Sequence, residues 1–403
     1  MNQKLFTVIE VLVIGALVLF VMYIGGAFKG PEPTPTNEPT RPPATATRPR
    51  PTATLRATAT PAITGTPPAI TSPAGFIAFD STRDGNSEIY IVDAASGVQT
   101  NLTNNPAEDY APIWSSDGRR IAFLSTRTGW LEIFVMNADG SDVVQLTQTF
   151  GSNTAYSYLF TWSPDGAQLA AVRSGAWNIN RAIKPFVIDL IQSDGSGAVS
   201  LYQDETSYIG PLTWSPDGKH ITIMLSDSTK YGVYIGKVEE TPFSIGPLNA
   251  SNNSNSLCIG LVWSPDGSRL VCDAGIQLIM ITPDISERKH ITSFSGGYST
   301  SIAWSPDGRN LLYVINNFID VGGTSKRSIN LTDIDGIEDA ELVNDSGLIA
   351  GSAPSWSPDS QWFVYNSEQD GQANLYITTI YDPSQHIQLT LNAGDNFSPQ
   401  WQP

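Results

Sequence analysis

The sequence is poor in the residues that most often perform chemistry. Its 403 residues include only three histidines and two cysteines. The histidines, His220, His290 and His386, lie far apart, and none belongs to an H-E-x-x-H motif. The sequence also lacks a G-x-S-x-G nucleophile elbow and a phosphate-binding loop. We therefore expect structural histidines, no catalytic residues, no metal site, no cofactor and no enzymatic activity.

Basic residues are scarce as well. The chain has 22 Lys and Arg against 39 Asp and Glu, and residues 74–403 alone hold 16 basic and 36 acidic residues, a net charge of −20. A domain this acidic repels phosphate backbones and anionic membrane surfaces. Nucleic acid is therefore excluded as an expected partner, whereas a cationic partner or solubility alone accounts for the charge.

The first 29 residues lack the polar content of a globular domain. Val11–Phe28 contains no charged residue, and Leu5–Ile9 extends this apolar run with only Glu10 between them. About 20 apolar residues are enough to cross a bilayer as a helix. Residues 1–29 are therefore predicted to be an uncleaved signal anchor that crosses the cytoplasmic membrane at residues 5–28. A cleaved secretion signal is the alternative.

A proline- and threonine-rich segment follows. Residues 31–73 contain 12 Pro and 12 Thr, so this stretch has too few apolar residues to build a core. Residues 30–73 are predicted to be a disordered stalk that holds residues 74–403 on the extracytoplasmic side. A plain tether inside the cell is the alternative.

A five-residue phrase recurs through residues 74–403. It reads WSSDG at Trp114, WSPDG at four further positions (Trp162, Trp214, Trp263, Trp304), and WSPDS at Trp356. A seventh tryptophan, Trp401, follows the letters FSPQ, and the spacings are 48, 52, 49, 41, 52 and 45 residues. Proline, aspartate and glycine in this order are typical of a tight turn, so each phrase is interpreted as a β-hairpin loop.

Each repeat contains four short β-type segments, which predicts a four-stranded antiparallel meander. Such units bury their apolar faces only against one another, and radial closure achieves this. Residues 75–103 supply three strands without a tryptophan strand, and residues 397–401 supply a tryptophan strand alone. We therefore predict an all-β, seven-bladed β-propeller of four-stranded antiparallel blades that both chain ends close. Six blades is the alternative.

These motifs resemble those of the TolB-like, WD-repeat-like β-propeller family. The resemblance rests on the W-S-P-D-G phrase, on the S-T-R-x-G turns at residues 81–85 and 125–129, and on the run Ile133–Ser141. It covers residues 75–403 and implies an interaction module or a gating domain of a peptidase.

Calcium is not expected, because Asp333–Gly336 lacks the length and spacing of an EF-hand loop.

The short polar turns are expected on one rim of the propeller, and the variable loops on the other. Aromatic residues in those loops are candidates for ligand binding, because rings bury large areas at low entropic cost. The candidate ligand-binding residues are Trp130, Tyr156, Tyr158, Trp177, Tyr208 and Tyr298. Local packing between blades is the alternative for these rings.

The two cysteines flank one predicted hairpin almost symmetrically. Cys258 precedes Trp263, and Cys272 follows Gly267, so cross-strand pairing would permit a disulfide. Two buried free thiols are the alternative.

Together these features predict a membrane-anchored extracytoplasmic module that binds or scaffolds a protein, peptide or glycan. The alternative is a cell-envelope enzyme that acts on glycans with rim carboxylates such as Asp109 or Asp204.

Overall fold

A computed structural model describes residues 70–149, 154–175, 186–204, 208–226, 231–240, 245–247, 260–284, 286–294, 297–317, 326–349, 353–369, 371–391 and 394–403. The expected membrane segment 5–28 lies outside the described residues, as does the expected stalk except for its last four residues. In the part of the chain that the structure describes, no helix is long and apolar enough to cross a membrane.

The described residues form seven four-stranded antiparallel sheets, which are the blades of a propeller. The chain begins with β1 (Phe76–Ser81), β2 (Glu88–Asp93) and β3 (Gln99–Asn101). Blade 1 consists of β4 (Asp109–Trp114), β5 (Arg120–Ser125), β6 (Glu132–Asn137) and β7 (Val144–Gln145). Blade 2 consists of β8 (Thr154–Trp162), β9 (Gln168–Gly175), β10 (Phe186–Gln192) and β11 (Ala198–Asp204). Blade 3 consists of β12 (Tyr208–Trp214), β13 (His220–Ser226), β14 (Tyr231–Lys237) and β15 (Ile245–Pro247).

The remaining blades repeat this order. Blade 4 consists of β16 (Gly260–Trp263), β17 (Leu270–Asp273), β18 (Gln277–Ile281) and β19 (Arg288–Ser293). Blade 5 consists of β20 (Gly297–Trp304), β21 (Asn310–Asn317), β22 (Arg327–Asp333) and β23 (Asp339–Asp345). Blade 6 consists of β24 (Ser355–Trp356), β25 (Trp362–Ser367), β26 (Asn374–Thr379) and β27 (His386–Gln388). The last strand, β28 (Asn396–Trp401), joins β1, β2 and β3 to form blade 7.

Blade 7 contains strands from both ends of the described chain, as the sequence predicts. β28 pairs antiparallel with β1, and Trp401 lies opposite Ile77. The indole N–H of Trp401 donates to the carbonyl oxygen of Ala74 at 2.9 Å. The seven-bladed prediction is therefore confirmed, and the six-bladed alternative is wrong.

The Ser-Pro-Asp-Gly phrase forms a hydrogen-bonded turn between the first two strands of a blade. In blade 1 the Ser115 hydroxyl donates to the Asp117 carboxylate at 2.6 Å and accepts from the Arg120 N–H at 3.0 Å. The same serine-to-aspartate bond recurs in blades 2 to 6. This hydrogen bond lowers the pKa of Asp117, so the turn aspartates serve local structure.

The blade tryptophans hold neighbouring blades together. The indole N–H of Trp162 donates to the carbonyl oxygen of Ile113, the residue before Trp114 in blade 1, at 3.1 Å. Trp114 makes the same bond to Gln400 in blade 7 at 3.0 Å. Apolar side chains fill each seam between blades, so each blade buries its faces against its two neighbours.

Turns between third and fourth strands pack closely on the preceding blade. Gly336 in blade 5 has φ +68°, and a Cβ there would lie 2.3 Å from the carbonyl oxygen of Ile291 in blade 4. Gly140 in blade 1 similarly approaches the carbonyl oxygen of Leu102 in blade 7, at 2.8 Å from an added Cβ. Only glycine fits such an approach with positive φ.

The antiparallel meander defines two rims. We call the end with the Ser-Pro-Asp-Gly turns and the turns between third and fourth strands the turn rim. We call the opposite end, with the turns between second and third strands and the connections between blades, the loop rim. The described chain enters at the turn rim, where the Thr71 carbonyl accepts from the Trp362 indole at 2.9 Å and its hydroxyl donates to Asp359 at 2.6 Å.

Candidate functional site

A buried ion pair anchors the loop-rim turn of blade 1. The Arg127 guanidinium pairs with the Asp109 carboxylate at 3.0 Å, and the Asp109 side chain is fully buried. The guanidinium also lies over the rings of Phe123 and Phe134, at 5.2 and 4.8 Å from their centroids. Cation–π contacts and a charge-assisted hydrogen bond therefore join this turn to β4, β5 and β6.

Blade 7 repeats this anchor with different chemistry. Arg83 lies 4.2 Å over the Tyr90 ring and donates to the Asn396 side chain at 2.9 Å, at the position that Asp109 occupies in blade 1. Burial lowers the pKa of Arg83. The S-T-R-x-G motif is therefore a structural anchor for loop-rim turns, a role that the sequence prediction did not assign.

Trp130 is displayed at the end of the anchored turn of blade 1. Its side chain is 48% exposed, which is unusual for such a large ring and marks a candidate contact residue. It directly follows Gly129, whose φ is +86°. The equivalent residue in blade 7 is Asn86, which follows Gly85 and binds the carbonyl oxygen of Ala107 at 2.7 Å. Sister turns with one backbone conformation thus present different side chains.

The other candidate aromatic residues are distributed around the ring. Tyr298 is the second residue of β20 in blade 5 and is partly exposed. Tyr156 and Tyr158 lie on β8, and Tyr208 begins β12. Trp177 lies outside the described residues. The described backbone therefore places the candidates other than Trp177 on blades 1, 2, 3 and 5, and their binding role stays a prediction.

A second recurring cluster on the loop rim escaped the sequence prediction. In blade 1 the Thr147 hydroxyl donates to Glu132 at 2.5 Å and accepts from the Ile133 N–H at 2.9 Å. In blade 7 the Thr103 hydroxyl makes the same pair of bonds, to Glu88 and from Ile89. The letters Leu-Thr recur directly after the fourth strands of blades 1, 6 and 7, and they were the available signal for this buried bond.

The rim carboxylates named for the enzymatic alternative are held within their own blades. Asp109 lies on the inner strand of blade 1 and is paired with Arg127. Asp204 lies at the end of the outer strand of blade 2, where the Tyr202 hydroxyl donates to it at 3.1 Å. Among the described residues, no group of three His, Cys, Asp or Glu side chains has the arrangement of a metal site.

A different carboxyl group has perturbed chemistry. Asp273, at the loop-rim end of β17, is completely buried. Desolvation raises its pKa to about 6, although hydrogen bonds from Ser299 and the Gly275 N–H act in the opposite direction. Perturbed pKa values of this kind are concentrated at functional sites, and buried structural networks also produce them.

One of the two cysteines lies among the described residues. Cys272 is buried on β17 and is disulfide-bonded. Its expected partner, Cys258, lies outside the described residues, so the pairing of these two cysteines stays a prediction.

Comparison with known proteins identifies the repeat. The family model for the TolB beta propeller domain matches residues 53–184. An uncharacterized protein of Agrobacterium fabrum is 31% identical over 202 residues, which are 47% of this chain and 61% of that protein. The uncharacterized peptidase YuxL of Bacillus subtilis is 29% identical over 156 residues, which are 38% of this chain and 21% of that protein. The matches thus span less than two thirds of both curated relatives.

Solved structures share the fold at low identity. TolB from Acinetobacter baumannii has a TM-score of 0.51 and 18% identity, over 83% of this chain and 68% of that chain. A puromycin-hydrolyzing peptidase of Mycobacterium tuberculosis has a TM-score of 0.59 and 13% identity, over 79% of this chain and 54% of that chain. An oligogalacturonate lyase has a TM-score of 0.55 and 14% identity, over 79% of this chain and 86% of that chain.

These comparisons correct one expectation. The prediction that the chain has no enzymatic activity is wrong as an exclusion, because propellers of this fold occur in a hydrolase and in a lyase, and one relative is called a peptidase. The physical reason is that the motif specifies a scaffold, while activity resides in loops and partner domains that vary on it. The tryptophan repeat, the seven closed blades and the matching family model show that this chain carries a TolB-like β-propeller.

Proposed function

We propose that this chain is a membrane-anchored, extracytoplasmic TolB-like propeller that binds a protein, peptide or glycan at its loop rim. The observation that carries the proposal is Trp130, an exposed ring on a turn that Arg127 joins to the buried Asp109. A rigid aromatic side chain loses little entropy on binding and buries a large area, which is how binding hot spots are built.

Three features support the extracytoplasmic location. Residues 5–28 are apolar enough to cross a bilayer, and residues 31–73 have the composition of a solvated spacer. Cys272 is disulfide-bonded, and disulfides persist in oxidising compartments. The stalk then leads to the turn rim, where Thr71 binds blade 6, which leaves the loop rim free to meet a ligand.

Sister blades supply a matched variant for the binding test. Trp130→Asn places in blade 1 the side chain that blade 7 carries at the same turn position, so the turn keeps its backbone conformation. Val199→Ser removes another exposed apolar side chain, which is 67% exposed on the outer strand of blade 2. Together the two variants separate loss of the Trp130 contact from loss of surface hydrophobicity in general.

The full-length protein in detergent is screened against peptide and glycan arrays and against envelope proteins, and each ligand found is titrated against the variants. We expect Trp130→Asn to weaken binding about tenfold or more, the loss typical of a hot-spot residue, and Val199→Ser to leave it unchanged. Ligands that bind all three proteins equally would show that Trp130 is not part of the binding surface.

The location is tested separately by fractionation and protease protection. We expect the chain in the membrane fraction, with residues 70–403 cleaved by protease added to intact spheroplasts. Recovery of the chain in the soluble fraction, or cleavage only after the membrane is broken, contradicts the proposed topology.

A second candidate is an enzymatic role on the same scaffold. It is favoured by the oligogalacturonate lyase, of which this fold covers 86%, because that enzyme consists largely of a propeller. The purified full-length chain is assayed with oligogalacturonate and with an aminoacyl-amide substrate. Turnover of either substrate supports this candidate, and the absence of turnover on both rejects it.

A further inference from the structure

One position in the second strand of every blade faces the seam to the next blade. It lies three residues after the residue that pairs with the blade tryptophan. Four blades place an apolar residue there, namely Leu124, Val172, Met224 and Val314. Blades 4, 6 and 7 place a buried polar residue there, namely Asp273, Asn366 and Asp80. Blade 4, like blade 7, therefore buries a carboxyl group where four sister blades have an apolar side chain.

Asp273 is bonded on one oxygen only. Its Oδ1 accepts from the Gly275 N–H at 2.8 Å and from the Ser299 hydroxyl, which belongs to the inner strand of blade 5. Its buried Oδ2 has no hydrogen-bond partner among the described residues. That oxygen points towards Gly260, where an added Cβ would lie 3.6 Å from it. A carboxylate with one unbonded buried oxygen is costly, whereas the neutral acid is much less so.

The neighbouring groups suit the protonated form. The Ser299 hydroxyl is also within 3.1 Å of the Gly275 carbonyl oxygen, and the Ser299 N–H donates to the same oxygen at 2.6 Å. When Asp273 carries its proton on Oδ1, that proton is donated to the Ser299 hydroxyl, and the hydroxyl proton is donated to the Gly275 carbonyl. This chain of bonds is complete without any charge.

The surrounding strands offer no charge to compensate an ionised carboxylate. On β16, β18, β20 and β21, which the structure describes in full, no residue is charged, and the titratable side chains are Tyr298 and Tyr313. On β17 itself Cys272 is disulfide-bonded. The ion pair between Lys289 and Asp335 crosses the same seam at the opposite, turn rim.

We propose that Asp273 is a pH-sensitive latch between blades 4 and 5, closed when its carboxyl group is protonated and loosened when it ionises. The latch holds two loop-rim segments, the turn of residues 274–276 and the start of β20 at residues 297–299. Those segments carry Ile276, which is 59% exposed, and the candidate residue Tyr298. The latch does not depend on the identity of the proposed ligand.

The sign of the effect follows from linkage. Burial raises the pKa of Asp273 from an ordinary value near 4 to about 6, so the folded seam binds the proton more tightly than the open seam does. The stabilisation is fully present below about pH 4 and is lost as the pH rises through about 6. A shift of about two pKa units corresponds to an opening equilibrium up to about a hundredfold larger at neutral pH than in acid.

Hydrogen exchange of the full-length protein in detergent tests the latch. Exchange is measured by mass spectrometry at about pH 5.0 and about pH 7.5 and is corrected for its intrinsic pH dependence. These two pH values bracket the pKa of Asp273, which is about 6. We expect the opening equilibrium of peptides over residues 274–281 and 297–304 to be about tenfold larger at the higher pH. Peptides over β6 in blade 1 should not change.

Two variants decide the assignment. Asp273→Val installs the residue that blades 2 and 5 use at this position, and Asp273→Asn keeps the shape without the titration. We expect the pH dependence of both segments to vanish in each variant, and if the valine protein does not fold, the asparagine protein decides. Equal protection of the wild-type segments at both pH values, or a pH difference that persists in Asp273→Asn, overturns the proposal.

Discussion

Replacing Trp401 by alanine should weaken the ring at the place where the chain closes it. Trp401 is 4% exposed and lies in the seam between blades 6 and 7, packed with Trp362, Ile77 and Phe79. It is also the last residue of β28, the strand that completes blade 7. Since β28 is joined to β1 by pairing alone and not by a connecting loop, its side-chain contacts must hold it in place.

The magnitude follows from what the substitution removes. Truncating a buried tryptophan to alanine costs about 3–5 kcal/mol, because the lost transfer energy adds to the cavity that remains. The lost donor to the Ala74 carbonyl, a bond of 2.9 Å, contributes about 1 kcal/mol of such a loss. At about 2 °C per kcal/mol, the figure for a large domain, we expect the melting temperature to fall by about 6–10 °C.

The measurement is thermal unfolding of the full-length protein followed by far-ultraviolet circular dichroism. Trp401→Phe keeps a ring but removes the N–H donor, so it should cost about 1–2 kcal/mol. Trp130→Ala is the control, since truncation of an exposed side chain should change the stability by less than about 0.5 kcal/mol. If Trp401→Ala melts at the wild-type temperature, closure through β28 does not stabilise the ring, and the reasoning is refuted.

The remaining predictions concern the turns, the disulfide and pH. Gly336→Ala should lower the free energy of urea unfolding by at least about 2 kcal/mol, because the new Cβ would lie 2.3 Å from a carbonyl oxygen of blade 4. Gly371→Ala has open space around it and should lower that free energy only by the roughly 1 kcal/mol that a positive φ costs. Equal losses in the two variants would contradict the packing argument. Cys272→Ser should cost about 3 kcal/mol, the value for a 15-residue loop if Cys258 is the partner, and the loss should disappear when wild type and variant are compared under reducing conditions. Asp117→Asn should destabilise at pH 7 but not near pH 2, because a lowered pKa makes its contribution present above about pH 4 and lost in acid; a pH-independent difference in melting temperature would argue against it.

The fold was predictable because each repeat contains the sequence signals of its own turns and strands. The phrase Ser-Pro-Asp-Gly in blades 2 to 5, and its close variants in blades 1 and 6, favour a turn, and the structure shows the same serine-to-aspartate bond in all six blades. The unpaired strands at residues 75–103 and 397–401 predicted the composite blade, because a propeller with an incomplete sheet would leave apolar edges exposed. The turn phrase and the strands that flank it recur at a regular spacing, and this recurrence predicted that strands from the two ends of the domain pair in one blade.

The loop rim was much less predictable. The ligand-binding residues were predicted from residue type and position in the repeat, and neither property indicates whether a ring faces solvent or a seam between blades. Trp130 is exposed, whereas the nearby Phe134, on the following strand, is buried beneath Arg127. The pairing of Arg127 with Asp109 joins residues 18 positions apart, and the sequence offers no local signal for such a contact.

The amino-acid sequence by itself determined the number of blades, the position of the turns and the strand that closes the ring, because these depend on turn chemistry and on alternating apolar residues within each repeat. Only the tertiary structure decided which side chains the loop rim displays and that Asp273 is buried against Ser299 across a seam. The reason is physical: a turn or a strand is encoded by neighbours in the chain, whereas burial and protonation depend on the blade packed alongside, whose residues are distant in the sequence.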